Sequence, residues 1–228
     1  MMAVCPTGRV FIYPCSGKDV VAPILAFGAH VDIFIFVDIN YQFNKFKAPS
    51  PSGWSELTDS VTIEGPPVED IKYVVNDKHK YREVVPAWRR SKYSHAGSGR
   101  QIDVIFRRGF GQYALHELND ESLGIFFHRG DSSIEGGSGV YYLRNKRMSH
   151  KPISRLMDVI KRKLIYPAYI VSDGSNTKIC QLIAAGNGDQ SLSNFNSHGL
   201  SWERTVDLPS RTGDSRRSVV WRVNKQSD

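Results

Sequence analysis

Apolar positions fall in short runs bounded by small or polar residues, and their order sets the expected architecture. Val10 to Tyr13 is apolar on both faces, as buried parallel strands are. Pro14 to Lys18 reads as a turn, with Asp19 as N-cap of a short helix that carries Pro23 in its first turn and ends near Phe27, with Gly28 at its C′ position. Ile33 to Val37 is a second apolar run, closed by Asp38. Together these segments predict a strand–loop–helix–strand unit.

Residues 41 to 70 lack a clear period, apart from a possible strand at Ser60 to Ile63. Arg82 to Tyr93 and Gln101 to Arg107, joined through His95-Ala-Gly-Ser-Gly-Arg100, predict an antiparallel hairpin whose second arm is strand three. A helix follows at Gln112 to Leu118, then strand four at Leu123 to Phe127. Ile153, Leu156, Met157, Ile160 and Leu164 stand at helical spacing behind Pro152, and Lys161, Arg162 and Lys163 suit that helix's last turn. Ala168 to Val171 predicts strand five, and Ile179, Leu182 and Ile183 a further helix. Trp202, Val206 and Leu208 share a parity, as do Val219, Trp221 and Val223, so the chain closes on a β-hairpin.

Composition narrows this picture. A chain of 228 residues with 40% hydrophobic and 23% charged residues suits one domain with a full core, here with an insertion at about 41–100. No apolar stretch approaches the length of a membrane span, and the first residues carry no secretory pattern. Cys5, Cys15 and Cys180 are an odd set without close pairing, which suits a reducing, cytoplasmic setting. The formal charge of +7 resides in residues 72 to 108, where ten Lys/Arg face three acids. Tyr73, Tyr81, Trp88 and Tyr93 stand among those charges, a pattern used for nucleic acid through stacking and phosphate neutralisation. Arg89, Arg90, Arg107 and Arg108 are the residues this reading selects. A solvated hairpin explains the same pattern equally well.

In open α/β sheets ligands collect at the carboxyl ends of strands. Four loops qualify: Pro14–Lys18, Asp38–Tyr41, His128–Gly139 and Ser172–Asn176. The third holds His128, Arg129, Asp131, Glu135 and four glycines, too polar for a core segment. His128 and Asp131 are candidates to accept a proton. Arg129, Glu135, Asp173 and Asn176 are candidate substrate contacts, although Asp173-Gly174 is also an ordinary turn and Asn176 an ordinary cap. Cys15 suits a buried packing residue better than a nucleophile.

With this element order the chain resembles the class I S-adenosylmethionine-dependent methyltransferases. That likeness implies a Rossmann-like, mostly parallel α/β sheet of about seven strands with a C-terminal antiparallel hairpin. By position it implies that Pro14, Cys15, Ser16 and Gly17 approach the methionine part of S-adenosylmethionine, and that Asp38 accepts its ribose hydroxyls. The activity implied is methyl transfer to an unassigned acceptor, with donor and acceptor held in line. The loop's single glycine and the Arg107-Arg108 pair after strand three suit a second reading, a nucleoside-type ligand-binding protein without the chemistry. A nucleic-acid-binding module is the third.

Overall fold

The computed structural model describes residues 9–67, 72–76, 79–128, 147–148, 151–152, 156–173, 193–208 and 218–226. The chain falls into two compact units, Met1–Glu117 and Leu118–Asp228.

In the first unit the elements are β1 (Val10–Pro14), α1 (Val21–Phe27), β2 (Ile33–Asp38), a 3-10 turn at Phe43–Lys45, β3 (Trp54–Glu64), β4 (Lys72–Asn76), β5 (His79–Glu83), β6 (Ala87–His95), β7 (Gln101–Arg108) and α2 (Gly111–Glu117). Five strands lie side by side in the order β1–β2–β7–β6–β3. The pairs β1–β2 and β2–β7 are parallel, while β6–β7 and β3–β6 are antiparallel. β4 and β5 form a separate hairpin. The apolar character of β1 has a direct cause: all five of its residues are buried. Phe11 lies 4.8 Å from Phe34, and Phe36 stacks on Phe106 at 5.5 Å. Each such ring contributes about 2–3 kcal/mol on burial. Arg100, at the turn between β6 and β7, ties that hairpin to the loop before β2. Its Nε donates to Gly28 O at 3.0 Å, and its Nη2 to Val31 O at 3.0 Å and to Asp32 Oδ1 at 2.8 Å.

α1 starts differently from the expectation. Val20, not Asp19, is the N-cap, and its aliphatic side chain offers no cap bond; Asp19 instead accepts a hydrogen bond from the Tyr13 hydroxyl at 3.1 Å. Gly28 has a right-handed φ of −60°, so it is not the expected left-handed C′ residue. Its small size has another cause: a Cβ there would stand 2.7 Å from the Trp54 ring. β3, the outermost of the described strands in this unit, is irregular between Leu57 and Thr62. There the Ser60 hydroxyl donates to Leu57 O at 2.5 Å and accepts from Lys92 N at 2.8 Å.

In the second unit the elements are β8 (Leu123–His128), β9 (Arg147–Met148), β10 (Lys151–Pro152), α3 (Leu156–Lys163), β11 (Leu164–Asp173), β12 (Asn194–Ser197), β13 (Leu200–Leu208) and β14 (Ser218–Lys225). Five of these strands run in the order β12–β13–β14–β11–β8. Only β8 and β11 pair in parallel among them; β14, β13 and β12 add on in antiparallel fashion. Trp202 and Trp221, both 1% exposed, fill the hairpin core with Phe195. His198 (φ 58°) and Gly199 (φ 70°) make the two-residue turn between β12 and β13. Two left-handed central residues match the twist of the flanking strands, and X-Gly satisfies that need.

The expected Rossmann-like α/β sheet, mostly parallel and of about seven strands, is not what forms. Strand predominates: among the described residues there are fourteen strands, seven in each unit, and the five-strand run of each unit mixes parallel and antiparallel pairing. Among the described residues the α-helices number three, of seven, seven and eight residues. The strand expected at Ser60 to Ile63 is part of an eleven-residue strand from Trp54 to Glu64, and Lys72–Asn76 with His79–Glu83 add a hairpin. The helix expected behind Pro152 is shorter than its apolar spacing suggests. Pro152 belongs to β10, and Leu164 already pairs with Leu123 in β11. Val206 breaks the expected parity and is 52% exposed, because the β13–β14 register shifts between Arg204 and Val206. The terminal hairpin itself is present as expected. The helix expected around Ile179 lies outside the described residues. No helix among the described residues is long and apolar enough to cross a membrane.

Candidate functional site

Parallel pairing brings the ends of β1, β2 and β7 out on one edge of the first unit, with Pro14 opposite Val37 and Asp38 opposite Arg108. Two loops meet there. Ser16 N donates to Val37 O at 3.0 Å, which clips the loop after β1 to the end of β2. Gly17 N donates to Asp38 Oδ2 at 2.9 Å, and Asn40 N donates to Asp38 Oδ1 at 2.7 Å. Gly17 sits at φ 54°, where a side chain is strained. We therefore expect Gly17→Ala to lower stability by about 1–2 kcal/mol, read from the urea midpoint.

Behind this pair runs a buried relay. The Tyr41 hydroxyl donates to Gly17 O at 3.0 Å and lies 2.7 Å from Ser16 Oγ. Burial raises the Tyr41 pKa far above its usual value, so the phenol stays protonated as a donor. Tyr41 was not among the residues the sequence singled out. Its signal is faint, an aromatic three residues past a strand end in a segment without period. Pro14 is buried, and a Cβ on Gly111 would stand 2.6 Å from Pro14 Cβ, so the first residue of α2 must be glycine-sized. Cys15, expected in the interior, is exposed at φ 59°, because the turn directs it outward.

Three of the four arginines selected for nucleic acid point inward. Arg89 makes a two-armed pair with Glu56, Nη1 to Oε1 at 2.6 Å and Nη2 to Oε2 at 2.9 Å, and its guanidinium lies 5.1 Å from the Phe46 ring centre. Arg108 is fully buried and donates to Val85 O at 2.8 Å, Pro66 O at 2.7 Å and Tyr41 O at 3.4 Å. It thereby satisfies carbonyls of three loop segments. Arg107 is 3% exposed, pairs with Glu117 at 2.5 Å and lies over the Trp88 ring. Its Nε and Nη1 have no hydrogen-bond partner among the described residues. Burial pulls its pKa below the usual guanidinium value, and Glu117 opposes that pull. Arg90 alone of the four is partly exposed without such an anchor among the described residues. Charge counted along the sequence cannot reveal this, since buried and solvated arginines are written with the same letter.

In the second unit His128 ends β8 and Asp173 ends β11, with Ser172 opposite His128 in parallel register, so both stand at one end of that pair. Arg129, Asp131, Glu135 and Asn176 lie outside the described residues. The site that can be built atom by atom is the Gly17–Asp38–Tyr41 corner. Comparison of the chain with models of known protein families, with curated proteins and with solved structures gives no match.

Proposed function

We propose that the first unit binds a ribose-bearing nucleoside ligand at the carboxyl ends of β1 and β2, with S-adenosylmethionine the first compound to test. The reading rests on this local strand–loop–helix–strand corner and not on the whole-chain architecture. One observation carries it: the Asp38 carboxylate is held in place by two backbone N–H groups and is still partly exposed. A carboxylate has about four acceptor positions. With two occupied by Gly17 and Asn40, two remain for the paired hydroxyls of a ribose. The loop places Cys15 at the rim beside them, where the remainder of such a ligand would pass.

Methyl transfer is the reaction such a ligand would serve; binding without chemistry is the alternative, which the single glycine of the loop supports. Binding comes first in either case. Calorimetric titration with S-adenosylmethionine and S-adenosylhomocysteine should give saturable heat below about 1 mM. Asp38→Asn keeps an acceptor for Gly17 N–H but loses the charge, and should weaken binding by about tenfold, worth 1.4 kcal/mol. Adenosine should also bind more tightly than 2′,3′-dideoxyadenosine to the unaltered protein, and equally to Asp38→Asn. Absence of heat from all these compounds, with the protein folded, removes the reading.

A further inference from the structure

A second site stands in the other unit, independent of the corner at Asp38. The last turn of α3, Tyr166, the His198–Gly199 turn and the end of β14 surround an open cleft of about 540 Å³. That volume lies in the range of small-molecule sites, about 300–1,000 Å³. Three cations line it, Lys161, Arg162 and Lys225, against one carboxylate, Asp158. Lys161 Nζ donates to His198 O at 2.8 Å and stands 3.8 Å from Asp158 Oδ1, so part of its donor capacity is unused. Lys225 Nζ rests 5.2 Å from the centre of the Tyr166 ring. Lys225 forms no ion pair among the described residues, and Arg162 forms none within salt-bridge distance, although its charge, after the hydrogen bond from Lys163, helps hold the Asp120 carboxyl below its usual value.

Cations in a helix's last turn are favoured by its dipole, which accounts for Lys161 and Arg162. It does not account for Lys225, which arrives from β14 in register with Leu200. Gly199 adds to the opening: a Cβ there would come within 3.9 Å of Lys161 Nζ, so the bare turn leaves the ammonium uncovered. Tyr166 donates its hydroxyl to Lys161 O at 3.1 Å, which fixes the ring as one wall. Val159 and Leu200 supply apolar surface beside it.

We propose that this cleft binds a small phosphate monoester, its dianionic phosphate between Lys161, Arg162 and Lys225 and its flat or apolar portion against Tyr166. Two negative charges match the excess of three cations over one acid, and charge-assisted hydrogen bonds supply the orientation. The probes are inorganic phosphate and phenyl phosphate, followed by amide NMR shifts of Gly199 and Gln226. Phenyl phosphate should saturate those shifts below about 10 mM and bind about fivefold more tightly than inorganic phosphate. Arg162→Ala with Lys225→Ala should weaken it at least about tenfold. Both side chains are exposed, so the double variant should fold normally, checked by its unchanged far-UV spectrum. Asp158→Asn should tighten binding, since it removes the opposing charge. Unsaturated shifts at 10 mM, or binding unaffected by the double variant, overturns the proposal. So does a response to a single-stranded oligonucleotide with none to phenyl phosphate.

Discussion

Glu56→Ala should lower the unfolding free energy by about 3–5 kcal/mol, because it leaves the Arg89 guanidinium buried without its partner. The side chains of Arg89 and Glu56 are only 9% and 12% exposed, and both carboxylate oxygens are engaged. Replacing the pair together, as Arg89→Met with Glu56→Leu, should cost far less or nothing, since desolvation of both charges is then avoided. Urea unfolding of the two variants gives the comparison; equal losses would mean that the pair's worth lies in its packing alone. The acid limb supplies a second readout. Burial by itself would raise the Glu56 pKa, but hydrogen bonds from Arg89 and Ser91 and the Arg89 charge outweigh it, and the value falls below the usual 4.5. Stability from this group is therefore complete above that usual value and is lost as pH drops through the depressed one. The double variant should lack that portion of the acid transition.

Trp221→Ala should also cost about 3–5 kcal/mol, here through a cavity. Trp221 is in β14, between β11 and β13, and packs edge-on to Phe195 at 5.0 Å and to Trp202 at 6.4 Å. Because β14 joins the hairpin to β11, the loss should reach both pairings of that strand. Hydrogen exchange should then quicken at Ile170 and Trp202 along with the residues of β14. Exchange that quickens in β13 alone would show that the hairpin opens separately from β11.

Residues with strict period were legible. β1, β2, the β6–β7 hairpin and the β13–β14 hairpin stand close to where apolar runs and turn residues place them. Helix length was not legible, because Leu164 continues the helical spacing yet is claimed by pairing with Leu123. Long-range pairing also decided the length of β3: the sequence announced only Ser60 to Ile63 of it, and the stretch from Trp54 has no apolar face to mark it. At the candidate site, the contact between Gly17 and Asp38 followed from the order of strand, loop and strand. Tyr41 did not, since its role depends on where a chain without period turns back. The arginines mark the clearest divergence: Arg89 and Arg108 bind a carboxylate and three carbonyls of the protein itself, and those acceptors are 23 to 67 residues away in sequence.

The irregular stretch in β3 bears on how copies of this chain meet. A long outermost strand exposes a regular ladder of donors and acceptors that another molecule's strand can copy. Between Leu57 and Thr62 the pairing of β3 with β6 loses its regular register, so the strand does not run straight there, and the Ser60 hydroxyl turns back onto its own strand and its neighbour. Ser60→Val would remove the hydroxyl that holds this stretch to Leu57 O and Lys92 N, and concentrated solutions of that variant should scatter light and bind thioflavin T sooner than the native chain.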